Sequence, residues 1–174
     1  MKKSLICCGI LKNELKYVMQ EIREKTDFEV DYLDAAARKE VKELATITED
    51  MKALVSSGRC LLATAGKEGR PNIGPKGSVV VLDDSTLAYG ELTGKQSYKN
   101  VQDNPLVSIA VVDYDKFTGY RFSGTVEIET SGELYELFAA RFAEMKLPRP
   151  AAAVKVKVEE IHDLSAANPG GKIA

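Results

Sequence analysis

Residues 93–100 read Thr93-Gly94-Lys95-Gln96-Ser97-Tyr98-Lys99-Asn100, and the organisation of the whole chain follows from how this stretch is read. Ser97 is a good helix N-cap, Tyr98 and Val101 share one helical face, and Asn104-Pro105 ends the helix. Exposed N–H groups at a helix start, with Lys95 before it and Lys99 within it, suit an anion such as a phosphate. The plainer alternative is a capped helix carrying two surface lysines, and local chemistry alone leaves both open. Five strand-like runs surround this turn: RCLLATAG at 59–66, PNIGPKGSVVVLD at 71–83, STLAYGEL at 85–92, PLVSIAVVD at 105–113 and GYRFSGTVEIET at 119–130. The run at 71–83 is irregular, because Pro71, Gly74, Pro75 and Gly77 interrupt it before Val79-Val80-Val81-Leu82. Proline and glycine inside a strand mark an edge, a bulge or the close approach of a ligand to the backbone. Lys76 sits in that irregular part, either as the solvated lysine of an edge strand or facing a ligand.

Before these runs, Thr46 to Ser57 reads as a helix. Thr46 and Glu49 match a capping box, Thr48 is an alternative cap, Met51, Leu54 and Val55 form the core face, and Gly58 stops it. After them, Ser131 caps a helix whose apolar stripe is Leu134, Leu137, Phe138, Phe142 and Met145, which reads as core packing. Pro148 and Pro150 break that helix, and Ala152 to Val158 forms a last strand. The tail, with Asn168-Pro169-Gly170-Gly171, has no periodicity and is expected to be mobile unless a partner orders it.

At the other end, Lys3 to Cys8 is a short apolar run closed by Gly9. Leu11, Leu15, Val18, Met19 and Ile22 follow at helical spacing, and Phe28, Val30 and Tyr32 alternate with charged residues. Residues 1–35 therefore read as a small β-α-β appendage, too short to close a core alone, and residues 36–45 as a helical linker. The vicinal Cys7 and Cys8 are either a reactive thiol site at a helix start or small buried hydrophobes. This segment resembles the opening of an uncharacterised prokaryotic domain through Ile6-Cys7-Cys8-Gly9-Ile10-Leu11 and Glu14-Leu15, a likeness that supplies no activity.

Composition narrows the function classes. A 174-residue chain with 44% hydrophobic and 29% charged residues can hold one domain with an appendage and needs no covalent staple. A net charge of −2 without a long basic run argues against nucleic-acid binding. No apolar stretch is long enough to span a membrane, and the apolar segment Leu5 to Leu11 is short for a signal peptide. Three cysteines without a CxxC pair fit a reducing compartment, so a cytoplasmic location is expected. No metal cluster and no nucleophile–base pair stands out.

Taken together, residues 46–165 resemble the pyridoxamine 5′-phosphate oxidase-like FMN-binding split-barrel superfamily, in particular its small FMN-binding members. The likeness rests on the opening helix, Leu61-Leu62-Ala63-Thr64, Gly69-Arg70-Pro71-Asn72, the stretch Lys95 to Val101 followed by Asn104-Pro105, and the final strand Val154-Lys155-Val156-Lys157-Val158. It implies a mainly β fold with flanking helices: a six-stranded antiparallel split β-barrel at 46–165, preceded by the appendage and linker and followed by a tail at 166–174. It also implies a homodimer with FMN at the subunit interface. Pro75, Lys76, Gly77 and Ser78 would lie along the flavin ring and phosphate, with Gly77 allowing close backbone approach. Lys95, Gln96, Ser97 and, less directly, Asn100 would hold the phosphate. The arginine and histidine pattern of substrate-binding pyridoxamine oxidases is not evident, and His162 reads as a surface or strand-end residue. The expected role is a flavin-dependent oxidoreductase or flavin reductase with a small-molecule or protein redox partner. The alternatives are a non-catalytic flavin carrier, sensor or electron-transfer protein, or a deazaflavin (F420) reductase.

Overall fold

Period-two burial makes the apolar runs into strands around an interior. In the computed structural model, which describes residues 44–57 and 59–174, strand β1 (Cys60–Ala65) buries Cys60, Leu62 and Thr64 and exposes Leu61. Strand β5 (Leu106–Asp113) likewise buries Val107, Ile109 and Val111 and leaves Leu106 exposed. The others are β2 (Pro71–Pro75), β3 (Val80–Asp83), β4 (Thr86–Glu91), β6 (Thr118–Glu129) and β7 (Ala152–Asp163). The N-terminal appendage, Cys7 and Cys8, most of the linker and Gly58 lie outside the described residues. The linker's last two residues, Leu44 and Ala45, are not helical, and Ala45 N–H donates to Val158 O at 2.9 Å.

Among the described residues all strand pairings are antiparallel, and the sheet order is β2-β1-β5-β6-β7-β4-β3. Among the described residues the sheet has seven strands, where six were expected, because the run at 71–83 breaks in two. Its halves pair with different partners, β2 with β1 and β3 with β4, and so sit on opposite edges of the sheet. In a flat sheet those edges would lie about 29 Å apart. The connection from Pro75 to Val80 spans at most about 18 Å. The sheet must therefore curl, and Lys76–Val79 crosses the opening of a split barrel. Lys76 N–H donates to Cys60 O on the β1 side, and Ser78 Oγ exchanges hydrogen bonds with Gly90 O and Gly90 N–H on the β4 side, at 3.0 and 3.1 Å.

The interior is filled by Leu62, Ile109, Val111, Phe122, Leu87, Tyr89, Val154, Val156, Val158 and Ile161. Helix α1 (Glu49–Ser56) adds Met51 and Val55, with Thr48 as its N-cap in place of the expected capping box. Helix α2 (Gln96–Asp103) contributes Val101. Helix α3 (Glu133–Glu144) packs on β4 and β7 through Phe138, Ala139 and Phe142. Leu137 and Met145 of the expected stripe are instead both 51% exposed, since one narrow face suffices for that contact. At the bulge where β6 shifts register on β7, a Cβ at Gly124 would overlap the Lys157 carbonyl, so only glycine fits.

The last strand runs five residues beyond the expected Val158, to Asp163. There the tail folds back on it. Ile161 N–H donates to Ala174 O, Asp163 N–H to Gly171 O and Gly170 N–H to Asp163 O, each within 2.8 Å. The expectation of a mobile tail is corrected: β4 pairs with β7 only as far as Lys157, and at Ile161 and Asp163 the tail supplies the hydrogen bonds on that side.

Candidate functional site

The turn before α2 is built on Glu91, the last residue of β4 and 2% exposed. Its Oε1 accepts from Thr93 N–H at 3.1 Å, Thr93 Oγ1 at 3.1 Å and Gly94 N–H at 3.2 Å. Gly94 takes a φ of +60°, the left-handed region that turns the chain towards the helix at little cost. As a result the helix begins at Gln96 with Lys95 as N-cap, and no side chain caps it. Ser97 is thus not the cap that its residue type promised. Its Oγ accepts from Asn72 Nδ2 at 3.0 Å, across to β2.

Behind this start lies a polar junction of β1, β2 and α2. Asn100, 4% exposed, donates from Nδ2 to Thr64 Oγ1 at 3.0 Å and accepts from Gln96 Nε2 at 2.8 Å. Asn72 Nδ2 also reaches Thr64 Oγ1 at 3.3 Å, and Asn104 Nδ2 donates to Ala65 O at 3.0 Å. These bonds satisfy buried polar groups and fix the helix on the sheet. Lys95, Gln96 and Lys99 remain exposed, and among the described residues no carboxylate pairs with either lysine.

The other predicted half, Pro75 to Ser78, is the segment crossing the barrel opening. Pro75 is exposed opposite Leu61, Gly77 is exposed with open space around its Cα, and Ser78 is spent on Gly90. Lys76 is engaged differently from Lys95. Its Nζ lies 2.6 Å from Glu91 Oε2 and 4.9 Å from the Tyr89 ring centroid, with 14% of the side chain exposed. Burial pushes the Glu91 carboxyl up, but the Lys76 hydrogen bond and charge and the Thr93 donors outweigh it and hold the group below its ordinary value. Burial, and then the Glu91 charge, raise Tyr89 well above the usual phenol.

The two halves are therefore joined by Asn72–Ser97 and by Lys76–Glu91–Thr93/Gly94. A groove of about 800 Å³ on the sheet borders the junction, lined among others by Ala63, Thr64, Asn72, Ile73, Leu106 and Ser108, with Glu159 and Glu160 also in its wall. None of the residues predicted for the site lines it, and the α2 residues reach it through Thr64 and Asn72. Glu91, Thr64 and Asn72 were absent from the predicted site. Asn72 stood in a recognised stretch, and Thr64 is a hydroxyl at an inward position of an alternating strand, which was a usable signal. Among the described residues no group of His, Cys, Asp and Glu could hold a metal ion.

The sequence pattern described as pyridoxamine 5′-phosphate oxidase matches residues 47–165. The chain belongs to the pyridoxamine 5′-phosphate oxidase family. The chain is similar to HupZ of Group A Streptococcus, 38% identical with a TM-score of 0.66 over 74% of this chain and 99% of that one. An uncharacterised protein of Methanocaldococcus jannaschii is 27% identical over 130 residues, 73% of this chain and 87% of its own. An FMN-binding protein of Syntrophomonas wolfei shares the fold at 15% identity, with a TM-score of 0.61 over 85% of this chain and 97% of that one. The family's matched span begins at Ile47 and ends at Ser165, so it takes in α1, every strand of the sheet and both halves of the candidate site.

Proposed function

We propose that this protein binds FMN and works as a homodimeric flavin-dependent oxidoreductase or flavin reductase. The observation carrying this reading is the start of α2: a first turn without a side-chain cap, with exposed Lys95 and Lys99 that no carboxylate among the described residues pairs, beside a groove on the sheet of a pyridoxamine 5′-phosphate oxidase family member. Free N–H groups and two cations suit a dianionic phosphate, so the residues present fit the group. Lys95, Gln96 and the first-turn N–H groups would hold the phosphate, and the segment around Gly77 would pass along the ring. Lys76 would act through its ion pair with Glu91, which neutralises it. Bound flavin would supply the hydride or electron transfer, while the chain anchors it and shields it from water.

The dimer reading is supported by the outward face of the β2-β1-β5 sheet, where Leu61 is 37%, Ile73 67% and Leu106 54% exposed. An exposed apolar patch rimmed by polar groups fits a second copy. Light scattering should give twice the 19.0 kDa chain mass; a monomer at working concentration would remove this part.

The deciding experiment is an FMN titration of purified protein, followed by quenching of flavin fluorescence, with F420 titrated in parallel. Saturable FMN binding in the micromolar range or below supports the reading. Binding of F420 alone, or of neither, overturns it. Oxidation of NAD(P)H by the FMN-loaded protein would then separate an enzyme from a non-catalytic flavin carrier or sensor.

A further inference from the structure

Glu91 is a buried acidic group at the join between the two halves of the candidate site. Its buried carboxylate takes four hydrogen bonds at once, from Lys76 Nζ through Oε2 and from Thr93 N–H, Thr93 Oγ1 and Gly94 N–H through Oε1. Three of those donors belong to the turn that starts α2. The fourth belongs to the segment that crosses the barrel opening, which is itself tied to β1 by the Lys76 N–H on Cys60 O and to β4 by the Ser78 hydroxyl on Gly90. A buried ion pair seldom stabilises a fold more than apolar side chains of the same volume would. Stability alone therefore does not account for a carboxylate at this point. The geometry does: one side chain sets the position of Gly94 and Lys95 relative to Lys76 and Gly77.

We infer that Glu91 is the positioning residue of the flavin-phosphate site, holding the Thr93-Gly94-Lys95 turn so that Lys95 and the uncapped first turn of α2 meet one phosphate together. This rests on the FMN reading above. Lys76 is then a clamp on Glu91 rather than a phosphate ligand, and the Tyr89 ring beneath its ammonium holds it there. With the carboxylate gone, the Thr93 and Gly94 N–H groups lose their acceptor and the turn is free to move, so Lys95 no longer lies at a fixed place beside the helix start.

Thermodynamic coupling between positions 91 and 95 tests this. FMN dissociation constants would be measured for the wild type, Lys95→Ala, Glu91→Ala and the double variant, with thermal melts confirming that each folds. Glu91→Ala should weaken FMN by about tenfold or more. Lys95→Ala should then cost far less in the Glu91→Ala background than in the wild type, since a mobile Lys95 has little left to lose. Additive losses, agreeing within about twofold, would overturn the inference.

The pair Glu91→Leu with Lys76→Met guards against simple loss of folding. It removes both charges while keeping apolar volume, and such replacements keep or raise stability. It should melt at or above the wild-type temperature and still bind FMN about tenfold or more weakly, because the turn has lost its acceptor. Full FMN affinity in that folded variant would sink the positioning role. A wild-type protein that fails to bind FMN would remove the flavin reading itself, whereas a wild type that binds while the variants behave additively removes only the role of Glu91.

Discussion

Gly77→Ala separates the fold from the ligand more cleanly than any change to a charged residue. A Cβ built at Gly77 meets no protein atom within 4 Å, and the residue does not adopt a positive φ. The substitution thus adds a methyl group in open space and restricts only the unfolded chain. By that mechanism the ligand-free protein should gain about 0.4–1 kcal/mol. For a body of this size that is a rise of roughly 2–5 °C in melting temperature. If the flavin ring passes along residues 75–78, the same methyl group lies in its path. Forcing an extra carbon into a filled contact costs about 1–3 kcal/mol, or roughly 5- to 150-fold in affinity. The assay is paired: differential scanning fluorimetry without ligand, and FMN titration by fluorescence quenching, with light scattering to confirm an unchanged assembly. A variant that melts slightly higher yet binds FMN equally well would refute the placement of the ring against Gly77. A variant that melts several degrees lower would refute the open space itself.

Other perturbations address the remaining links. Lys95→Ala should weaken FMN by about 1.5–3 kcal/mol, the range for a hydrogen bond to a charged group, with little change in melting temperature; an unchanged dissociation constant removes Lys95 from the phosphate. Gly124→Ala should lower stability by about 3 kcal/mol or more in urea denaturation, because its Cβ would overlap the Lys157 carbonyl and the two longest strands would have to part; a loss below about 1 kcal/mol would contradict the register there. Asn100→Ala should cost about 2–3 kcal/mol of stability through the lost bonds to Thr64 and Gln96 and the space left behind, read by the same denaturation. The folded Glu91 carboxyl lies below its ordinary value of 4.5, so its contribution to stability is complete above that value and is lost as pH falls through the lower folded one. Melting temperatures between about pH 6 and 3 should therefore fall more steeply in the wild type than in Glu91→Leu/Lys76→Met, and equal slopes would contradict the shift.

Much of the sheet was legible because its signals are local. Alternation in Cys60 to Ala65 and Leu106 to Asp113, Asn104-Pro105 after α2 and the prolines after α3 each act within a few residues. What misled was non-local. The run 71–83 looks like one interrupted strand, and nothing within it says that Ile73 pairs with Ala63 while Val80 pairs with Ala88. The tail offered no periodicity either, yet the open side of β7 beyond Lys157 gave it hydrogen bonds that its own residues could not announce. Ser97 shows tertiary context overriding a good local signal. Once Glu91 and Gly94 shape the turn, the helix starts two residues early and the hydroxyl turns to Asn72.

Lys76 and Lys95 carry the sharper lesson for the site. In the sequence they are equivalent, each a lysine beside a glycine in an irregular stretch. Burial separates them. Lys95 is exposed and has no carboxylate partner among the described residues, whereas Lys76 is largely covered and bound to a carboxylate that lies fifteen residues further along. To serve a phosphate directly, Lys76 would have to leave Glu91 buried and without its cation, which costs several kcal/mol. A phosphate contact in partial solvent returns less than that. The cheaper arrangement keeps Lys76 on Glu91 and leaves the anion to Lys95, Lys99 and the free N–H groups of α2. The candidate cradle would then have one face that binds and one that holds the first in place, linked by a glutamate that the sequence offered only as part of a strand.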